Sequence, residues 1–274
     1  MPGKWKTRAL AFLTAGALLV LAGCGLPGKA KEAKARGQEL LLAGDYAAAA
    51  EAFREASENT GHASKKYIRD LLEWQADAEF CSGDYAAAEK TWRELLAGNE
   101  KSAEYHYFLA AAEAGQGKAP EALADYRSAV LKDKQHSSFE TPGCLTAFRM
   151  TEQALWDAEL AEEGAELCNE EFRADADHAE VYNRAGMWCM AAEDYEKARE
   201  MFVKGQEKLP AGDTEEEKAA AEICGRELAR NLAVLSENTG DYQGALDAFY
   251  AYRDRFGTDE ETDREIRFLE SRVQ

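Results

Sequence analysis

Small and large apolar residues recur along the chain at fixed distances from a tyrosine. Gly-Asp-Tyr occurs at 44–46, 83–85 and 240–242, and Asp194-Tyr195 is a near copy. In each case a small residue follows three positions after the tyrosine and a large one follows seven positions after it. Because offsets of three, four and seven lie on one face of an α-helix, each tyrosine is predicted to begin a helix with one apolar face.

A second small residue stands nine positions before each tyrosine and predicts a preceding helix that the second helix crosses closely. Between the two helices, glycine supplies the turn and aspartate caps the second helix. Each unit is then a helix hairpin whose apolar face must be buried against the next unit. The residues assigned to this packing are Gly37, Tyr46, Ala49, Phe53, Ala76, Tyr85, Ala88, Trp92, Ala110, Ala122, Tyr126, Gly186, Tyr195, Ala198, Phe202, Ala233, Tyr242, Ala245 and Phe249.

This pattern resembles the tetratricopeptide repeat (TPR) over roughly residues 30–259. The resemblance implies an all-α fold, a right-handed superhelical solenoid of about six helix hairpins, with residues 30–274 as one continuous repeat domain. Residues 145–178 should hold a degenerate unit, and insertions are expected at 137–144 and 210–219. A capping helix is expected over 258–273. The last unit is similar to repeats of bacterial envelope TPR proteins associated with Tol-Pal and with outer-membrane protein assembly.

The N-terminus has the pattern of a secretory signal. Residues 1–8 carry three basic residues and no acid, and an uncharged, mostly apolar run covers 9–21. The following Leu21-Ala22-Gly23-Cys24 resembles the lipobox of bacterial lipoproteins. That resemblance implies a signal peptide over 1–23, lipidation (diacylglycerol and palmitate) of Cys24, and a tether over 24–29. Since Gly25 rather than Asp follows the cysteine, it also implies an outer-membrane anchor facing the periplasm.

The net charge of the chain limits the kinds of molecule that it is expected to bind. The chain of 274 residues carries 52 acidic against 33 basic residues, a formal net charge of −19. Nucleic acid is not an expected partner, because a phosphate backbone requires a basic footprint. Residues 25–37 are an exception, with four basic residues and one acid. They either lie near the membrane or form the solvated start of a helix.

The cysteines allow two interpretations. Five of the six remain after Cys24, and the periplasm permits disulfides. A Cys168–Cys189 bond is favoured, because the second helix of one unit packs against the first helix of the next. Alternatively, Cys81 and Cys189 are small core residues.

Motifs of catalysis and metal binding are not found in the sequence. No C-x-x-C occurs, and none of the four histidines has a histidine or cysteine as a second ligand three or four positions later. His106 is expected to be a packed residue. No cofactor or metal is therefore expected. Glu270-Ser271, the one pair comparable with that of lytic transglycosylases, stands too near the C-terminus for a catalytic domain, so the chain is not expected to be an enzyme.

Protein binding is the remaining expectation. In the TPR family the first helices line a groove that holds peptides or partner helices. An acidic wall at one end and a methionine-lined wall at the other would suit a basic or mixed extended segment. The alternative is that these acids only form a solvated face. The residues assigned to the groove are Asp70, Glu73, Asp77, Tyr107, Asn183, Met187, Met190 and Arg230.

The expected function is that of a lipid-anchored periplasmic scaffold or adaptor. It would bind other envelope proteins in outer-membrane protein assembly, in pilus or secretion-system assembly, or in the control of peptidoglycan enzymes. Two alternatives remain open: a periplasmic solute- or peptide-binding TPR protein, and an enzyme of the cell wall.

Overall fold

Every regular element in the part of the chain that the structure describes, residues 28–211 and 215–273, is helical. The structure is a computed structural model. It contains thirteen α-helices and one 3₁₀ turn within those residues, which confirms the predicted all-α fold. The chain divides into two compact units, residues 1–159 and 160–274.

The described part of the first unit holds seven helices. Helices pair as hairpins in chain order, and each new first helix also packs on the hairpin before it. The helices are α1 (Gly28–Ala43), α2 (Tyr46–Glu58), α3 (Lys65–Ser82), α4 (Tyr85–Gly98), α5 (Ala103–Gly115), α6 (Ala119–Val130) and α7 (Cys144–Asp157).

The second unit holds six helices in its described residues. Its two hairpins, α9–α10 and α11–α12, are flanked by α8, which packs on α9, and by α13, which packs on α12. The helices are α8 (Ala161–Arg173), α9 (Ala179–Ala191), α10 (Tyr195–Glu207), α11 (Glu215–Asn238), α12 (Tyr242–Phe256) and α13 (Glu260–Glu270). The last of these is the capping helix that the sequence predicts.

The turns within the hairpins use glycine and aspartate. Gly44, Gly83 and Gly240 have φ values of 78°, 84° and 81°, in the left-handed region that glycine enters without a steric penalty. The aspartate that follows each glycine accepts a hydrogen bond from a backbone N–H in the first turn of the next helix. Asp194 caps α10 in the same manner. In that hairpin Glu193 occupies the glycine position, at a φ of 60°.

The small residues of the first helices face aromatic rings of the second helices. A Cβ added to Gly37 would lie 2.8 Å from the ring of Phe53, and one added to Gly186 would overlap Phe202. Both rings are fully buried. The other small positions of the pattern are also fully buried, whereas the tyrosines at the helix starts are partly exposed, Tyr242 most of all at 37%. The repeated stripe is therefore the core between helices, and the tyrosines lie at its margin.

The predicted degenerate unit corresponds to α7 and α8, which fall in different compact units. Helix α7 packs on both α5 and α6. The residues before it form the expected insertion, with a 3₁₀ turn at His136–Ser138 and a left-handed Gly143 at φ 83°. At the second predicted insertion, α11 begins at Glu215, and residues 212–214 lie outside the described residues.

The predicted signal peptide and Cys24 lie outside the described residues, as does most of the predicted tether. Its last two residues, Gly28 and Lys29, form the start of α1. Within the described residues, none of the helices combines the length and the apolar character that crossing a bilayer requires.

Candidate binding surface

In the first unit, polar side chains tie the first helices α1, α3 and α5 to one another. Lys34 of α1 forms an ion pair with Asp70 of α3. The hydroxyl of Tyr105 on α5 donates a hydrogen bond to Glu73 of α3. The Nε atom of Arg69 lies 3.8 Å from Oε1 of the same glutamate. Three successive first helices are thus joined along one side.

Four carboxylates of this region, Asp70, Glu73, Asp77 and Glu104, form a surface that we call the acidic strip. All four side chains are partly buried. Burial raises the pKa of Glu73, and the neighbouring charges of Glu104 and Asp70 act in the same direction. Removal from water and crowding with like charge both disfavour the ionised acid. A cationic group placed on the strip would relieve this repulsion.

In the second unit, α9 and α11 are joined by a polar cluster, which we call the amide–arginine cluster: Asn183 and Arg184 of α9 with Glu227 and Asn231 of α11. The Nδ2 of Asn183 donates to Oε2 of Glu227 at 3.1 Å, and its Oδ1 accepts from Nδ2 of Asn231 at 2.8 Å. An Nη atom of Arg184 lies 3.6 Å from Glu227. Farther along, Arg230 of α11 pairs with Glu261 of α13, N to O 2.6 Å. Much of the hydrogen-bonding capacity of these four side chains is thus used within the cluster itself.

Two residues assigned to the groove are buried. Tyr107 and Asn183 have no exposed surface. The Tyr107 hydroxyl donates to Oδ2 of Asp133 at 3.1 Å and lies 3.0 Å from Nδ1 of His136. Burial raises the pKa of Tyr107, so the phenol keeps its proton. Both assignments rested on a helical face drawn from sequence, which does not show the insertion that covers Tyr107 or the long helix α11 beside Asn183.

The two methionines assigned to the groove are only partly exposed. Met187 and Met190 pack against the core cluster that contains Ala198, Phe202 and Leu228. The sulfur of Met187 also lies 3.7 Å from an Nη atom of Arg184. Both side chains thus contribute to the junction of α9 with α10 and α11. The acidic strip is the predicted groove feature whose members lie side by side at the surface.

The predicted Cys168–Cys189 disulfide is not formed in the structure, where both residues are thiols. Cys168 is buried on α8, whereas Cys189 packs against the core cluster of α10 and α11. The two cysteines therefore lie in different packing contacts: Cys168 in the contact of α8 with α9, and Cys189 in the contact of α9 with α10 and α11. Burial raises the pKa of Cys189, which keeps its thiol protonated.

Buried glutamates between hairpins are a feature that the sequence analysis missed. Glu79 on α3 is 2% exposed and receives hydrogen bonds from Arg54 at 3.1 Å, Gln75 at 2.8 Å and Thr91 at 2.7 Å. Glu113 on α5 occupies the equivalent place and pairs with Arg93. The sequence holds a pattern that could have predicted these glutamates. An arginine directly follows the large aromatic residue of one unit, and a glutamate stands three positions after the small residue of the next unit.

The second of these glutamates, Glu113, has an unusually high pKa. Burial, together with the nearby charge of Asp125, outweighs the pairing with Arg93 and raises the pKa of Glu113 to about 8. Asp125 also lies 3.0 Å from Nδ1 of His106, so the expected packed histidine has an acidic partner. Glu89 shows the opposite behaviour. Burial would raise its pKa, but hydrogen bonds from Lys118, Gln116 and Arg93 lower it to about 2.

Two other features are candidates for a binding site, a cavity and a group of metal-ligating side chains. A shallow cavity of about 430 Å³ lies between α1 and α2, but its two arginines, Arg36 and Arg54, already pair with glutamates, so it offers no open cation. Within the described residues, one group combines three different metal-ligating side chains: Asp133, His136 and Cys144, whose ligand atoms all lie within 4.8 Å of one another.

Comparisons with known proteins agree with the repeat architecture. Residues 74–137, which span α3 to the 3₁₀ turn, match the family model described as a tetratricopeptide repeat. No curated protein sequence matches the chain.

Three solved structures of similar fold cover most of the chain. The apo form of RapI superposes with a TM-score of 0.69 at 14% identity, covering 97% of this chain and 79% of RapI. PilW, described as a widely conserved type IV pilus biogenesis factor, gives 0.59 at 14% identity and covers 89% and 99%. PilF of Pseudomonas aeruginosa gives 0.57 at 13% identity and covers 89% and 97%. The chain thus contains a tetratricopeptide-repeat segment at 74–137 and shares its helical-hairpin fold with these proteins.

Proposed function

We propose that this protein is a lipid-anchored, non-catalytic scaffold of the bacterial envelope that binds segments of other envelope proteins along its first helices. The observation that carries the proposal is the acidic strip of the first unit. Its four carboxylates come from two successive first helices and lie together at the surface. Solenoids of stacked helix pairs present such surfaces to extended partners.

The chemistry of the strip specifies the kind of segment. Arg69 is a cationic neighbour of Glu73, but partial burial and the charges of Glu104 and Asp70 outweigh it and raise the pKa of Glu73. A partner segment carrying lysine or arginine would add further positive charge at this surface. The overall charge of −19 would attract such a segment from a distance and repel acidic ones.

The envelope setting rests on the N-terminal pattern and receives support from the fold. A lipid on Cys24 would hold the repeats at the periplasmic face of the outer membrane. PilW is described as a pilus biogenesis factor and has the same helical-hairpin fold, which supports a role in the assembly of an envelope structure. Pilus or secretion-system assembly, outer-membrane protein assembly and control of peptidoglycan enzymes are the processes in which such a scaffold would act.

Neutralising the acidic strip tests the binding surface. The triple variant Asp70→Asn, Glu73→Gln and Asp77→Asn removes three charges with little change in shape. The matched control Glu51→Gln, Glu55→Gln and Glu58→Gln removes three charges from exposed positions of α2. Envelope proteins that co-purify with the wild type should be lost with the first triple and kept with the second. Equal capture by all three proteins would contradict the proposed surface.

Replacing the lipidated residue tests the anchor. Cys24→Ser should move the protein from the membrane fraction to the soluble periplasmic fraction, because several acyl chains on one residue hold it firmly. Cys81→Ser, which changes a cysteine within the repeats, should leave the distribution unchanged. Retention of the Cys24→Ser protein in the membrane would contradict the anchor.

A further inference from the structure

The insertion between α6 and α7 brings three chemically different side chains together. Asp133 lies in the turn after α6, His136 in the 3₁₀ turn, and Cys144 is the first residue of α7. His136 is 5% exposed and Cys144 is fully buried. None of these residues belongs to the acidic strip, and the repeat pattern does not require them.

The distances among these side chains are close to those of a metal site. The Sγ atom of Cys144 lies 3.7 Å from Nδ1 of His136, and a carboxylate oxygen of Asp133 completes a group within 4.8 Å. In tetrahedral zinc sites the bonds are about 2.0–2.2 Å to nitrogen and oxygen and about 2.3 Å to sulfur, so neighbouring donor atoms stand roughly 3.3–3.7 Å apart. The thiol and imidazole already have this separation, and only the carboxylate must move inward.

The surroundings hold the group in place. His136 stacks on the ring of Tyr107 and also contacts Tyr126 and Phe139, with ring centroids 6.5, 6.2 and 5.7 Å away. Phe139 adopts a left-handed φ of 55°, a conformation that costs a non-glycine residue energy. A Cβ on Gly143 would lie 2.9 Å from the ring of Phe108, so this glycine permits close contact with α5. The insertion is thus folded tightly onto the helix that carries Tyr107.

Tyr107 orients one member of the group. Its hydroxyl donates to Oδ2 of Asp133 at 3.1 Å, and Oδ1 accepts from the backbone N–H of Gln135 at 2.9 Å, so the carboxylate is fixed from both sides while each oxygen keeps a second lone pair for a cation. Hydrogen bonds of this kind fix the ligands of metal sites. The same hydroxyl lies 3.0 Å from Nδ1 of His136, so an arriving cation would displace that single contact.

We propose that Asp133, His136 and Cys144 bind a thiophilic divalent cation of the Zn²⁺ class, which joins the turn after α6 and the 3₁₀ turn to the start of α7. Thiolate and imidazole ligands select zinc over magnesium and calcium, which prefer oxygen ligands. On binding, the Cys144 thiol releases its proton to solvent, the imidazole carries its proton on Nε2 and coordinates through Nδ1, and water fills the fourth position. Asp133 stands three positions before His136, but Cys144 comes eight positions after it, so the group shows neither a C-x-x-C nor a paired-histidine spacing.

Cobalt is the probe for this site, because Co²⁺ bound by a thiolate gives a charge-transfer absorption that Zn²⁺ lacks. The full chain, reduced and in detergent, should bind one Co²⁺ with this band, and Zn²⁺ should displace it. Zn²⁺ should also raise the melting temperature. In His136→Gln and Cys144→Ser the affinity should fall at least tenfold, and Cys144→Ser should lose the band.

Two further variants keep the test decisive. Cys189→Ser, in the other unit, should keep both the band and the affinity. Asp133→Asn changes a partly exposed turn residue and should fold, keep the band and bind more weakly. If Cys144→Ser fails to fold, the Asp133→Asn titration decides. A wild-type protein without the band, a band unchanged in Cys144→Ser, or an affinity unchanged in Asp133→Asn would overturn the proposal.

Discussion

The two compact units share the same apolar stripe but differ in what flanks it. In the first unit, Arg54 pairs with the buried Glu79 of the next first helix. In the second unit, the position after the ring is Val203, which is 41% exposed, and the position three after the small residue of the next first helix is Ser236, which donates a hydrogen bond to the backbone oxygen of Leu232. At these two positions the first unit has a buried ion pair, whereas the hairpins of the second unit are joined elsewhere, by the amide–arginine cluster of α9 and α11.

This difference separates two roles in the sequence. The small residue and the ring occur in both units, as Gly37 with Phe53 and as Gly186 with Phe202, so they are what the hairpin requires. The flanking pairs vary, so they set properties of each unit rather than the fold. In the first unit they introduce titratable groups into the core, and with them a dependence of stability on pH.

The largest expected effect tests the shared stripe. Phe53→Ala and Phe202→Ala should each lower the free energy of unfolding by about 3–5 kcal/mol, because each removes a fully buried ring and leaves a cavity. Chemical denaturation followed by circular dichroism would measure both. A loss confined to one unit would mean that the stripe is not shared.

A smaller effect should distinguish the flanking positions. Arg54→Met keeps most of the side-chain stem but removes a donor from the buried Glu79, which should cost about 1–3 kcal/mol. Val203→Met changes the equivalent, exposed position of the second unit and should stay within about 0.5 kcal/mol. Similar losses in the two variants, measured by the same denaturation, would remove the distinction between the units.

The raised pKa of Glu113 predicts a pH dependence of stability that arises in the first unit. Its pKa is about 8 in the folded chain against an ordinary 4.5, so folding favours the protonated acid. The stabilisation from this group is complete below pH 4.5 and is lost as the pH rises to about 8. Between pH 5 and pH 8.5 the melting temperature should fall by roughly 10 °C through this group, because three pKa units correspond to about 4 kcal/mol.

The variant Glu113→Gln is the control for that pH effect. Glutamine resembles the protonated acid and does not ionise, so this part of the pH dependence should disappear. Glu237→Gln, a change of the same kind in the second unit, should leave it in place. Glu237 also has a raised pKa but is partly exposed, so its own contribution is smaller. A wild-type slope that survives Glu113→Gln would contradict the assignment.

The smallest expected effect concerns the hairpin turns. Glu193 has a left-handed φ of 60° where the other hairpins have glycine. Glu193→Gly should therefore stabilise the second unit by about 0.5–1 kcal/mol, because the left-handed conformation is disfavoured for residues with a Cβ. Gly83→Glu, the reverse change in the first unit, should destabilise by a similar amount. Thermal unfolding of both would show whether the two turns are interchangeable.

The fold was predictable because its signal is local and repeated. Each Gly-Asp-Tyr fixes a turn, a cap and a helix start, and the stripe defines which faces meet. Two residues assigned to the groove, Tyr107 and Asn183, are buried because distant parts of the chain cover them. Tyr107 is covered by an insertion that has no repeat pattern, and Asn183 meets Glu227, 44 residues later. Neither contact produces a periodic pattern in the sequence.

The candidate surface was predictable in part for the same reason. Asp70, Glu73 and Asp77 share one helical face, which spacing alone shows. Their partners Lys34 and Tyr105 come from other helices, so only the structure shows that these acids connect neighbouring first helices. The metal-ligating group lacks the C-x-x-C and paired-histidine spacings of metal-binding motifs, because its cysteine comes from α7, eight residues after His136.

Site-specific photo-crosslinking in living cells tests the central claim most directly. A photoreactive residue at the exposed position Arg69, beside the acidic strip, should crosslink to a defined envelope protein. The same residue at Glu94, an exposed position on the second helix α4, should not. Crosslinking to the same partner from both positions, or from Glu94 alone, would contradict a scaffold that binds its partners along its first helices.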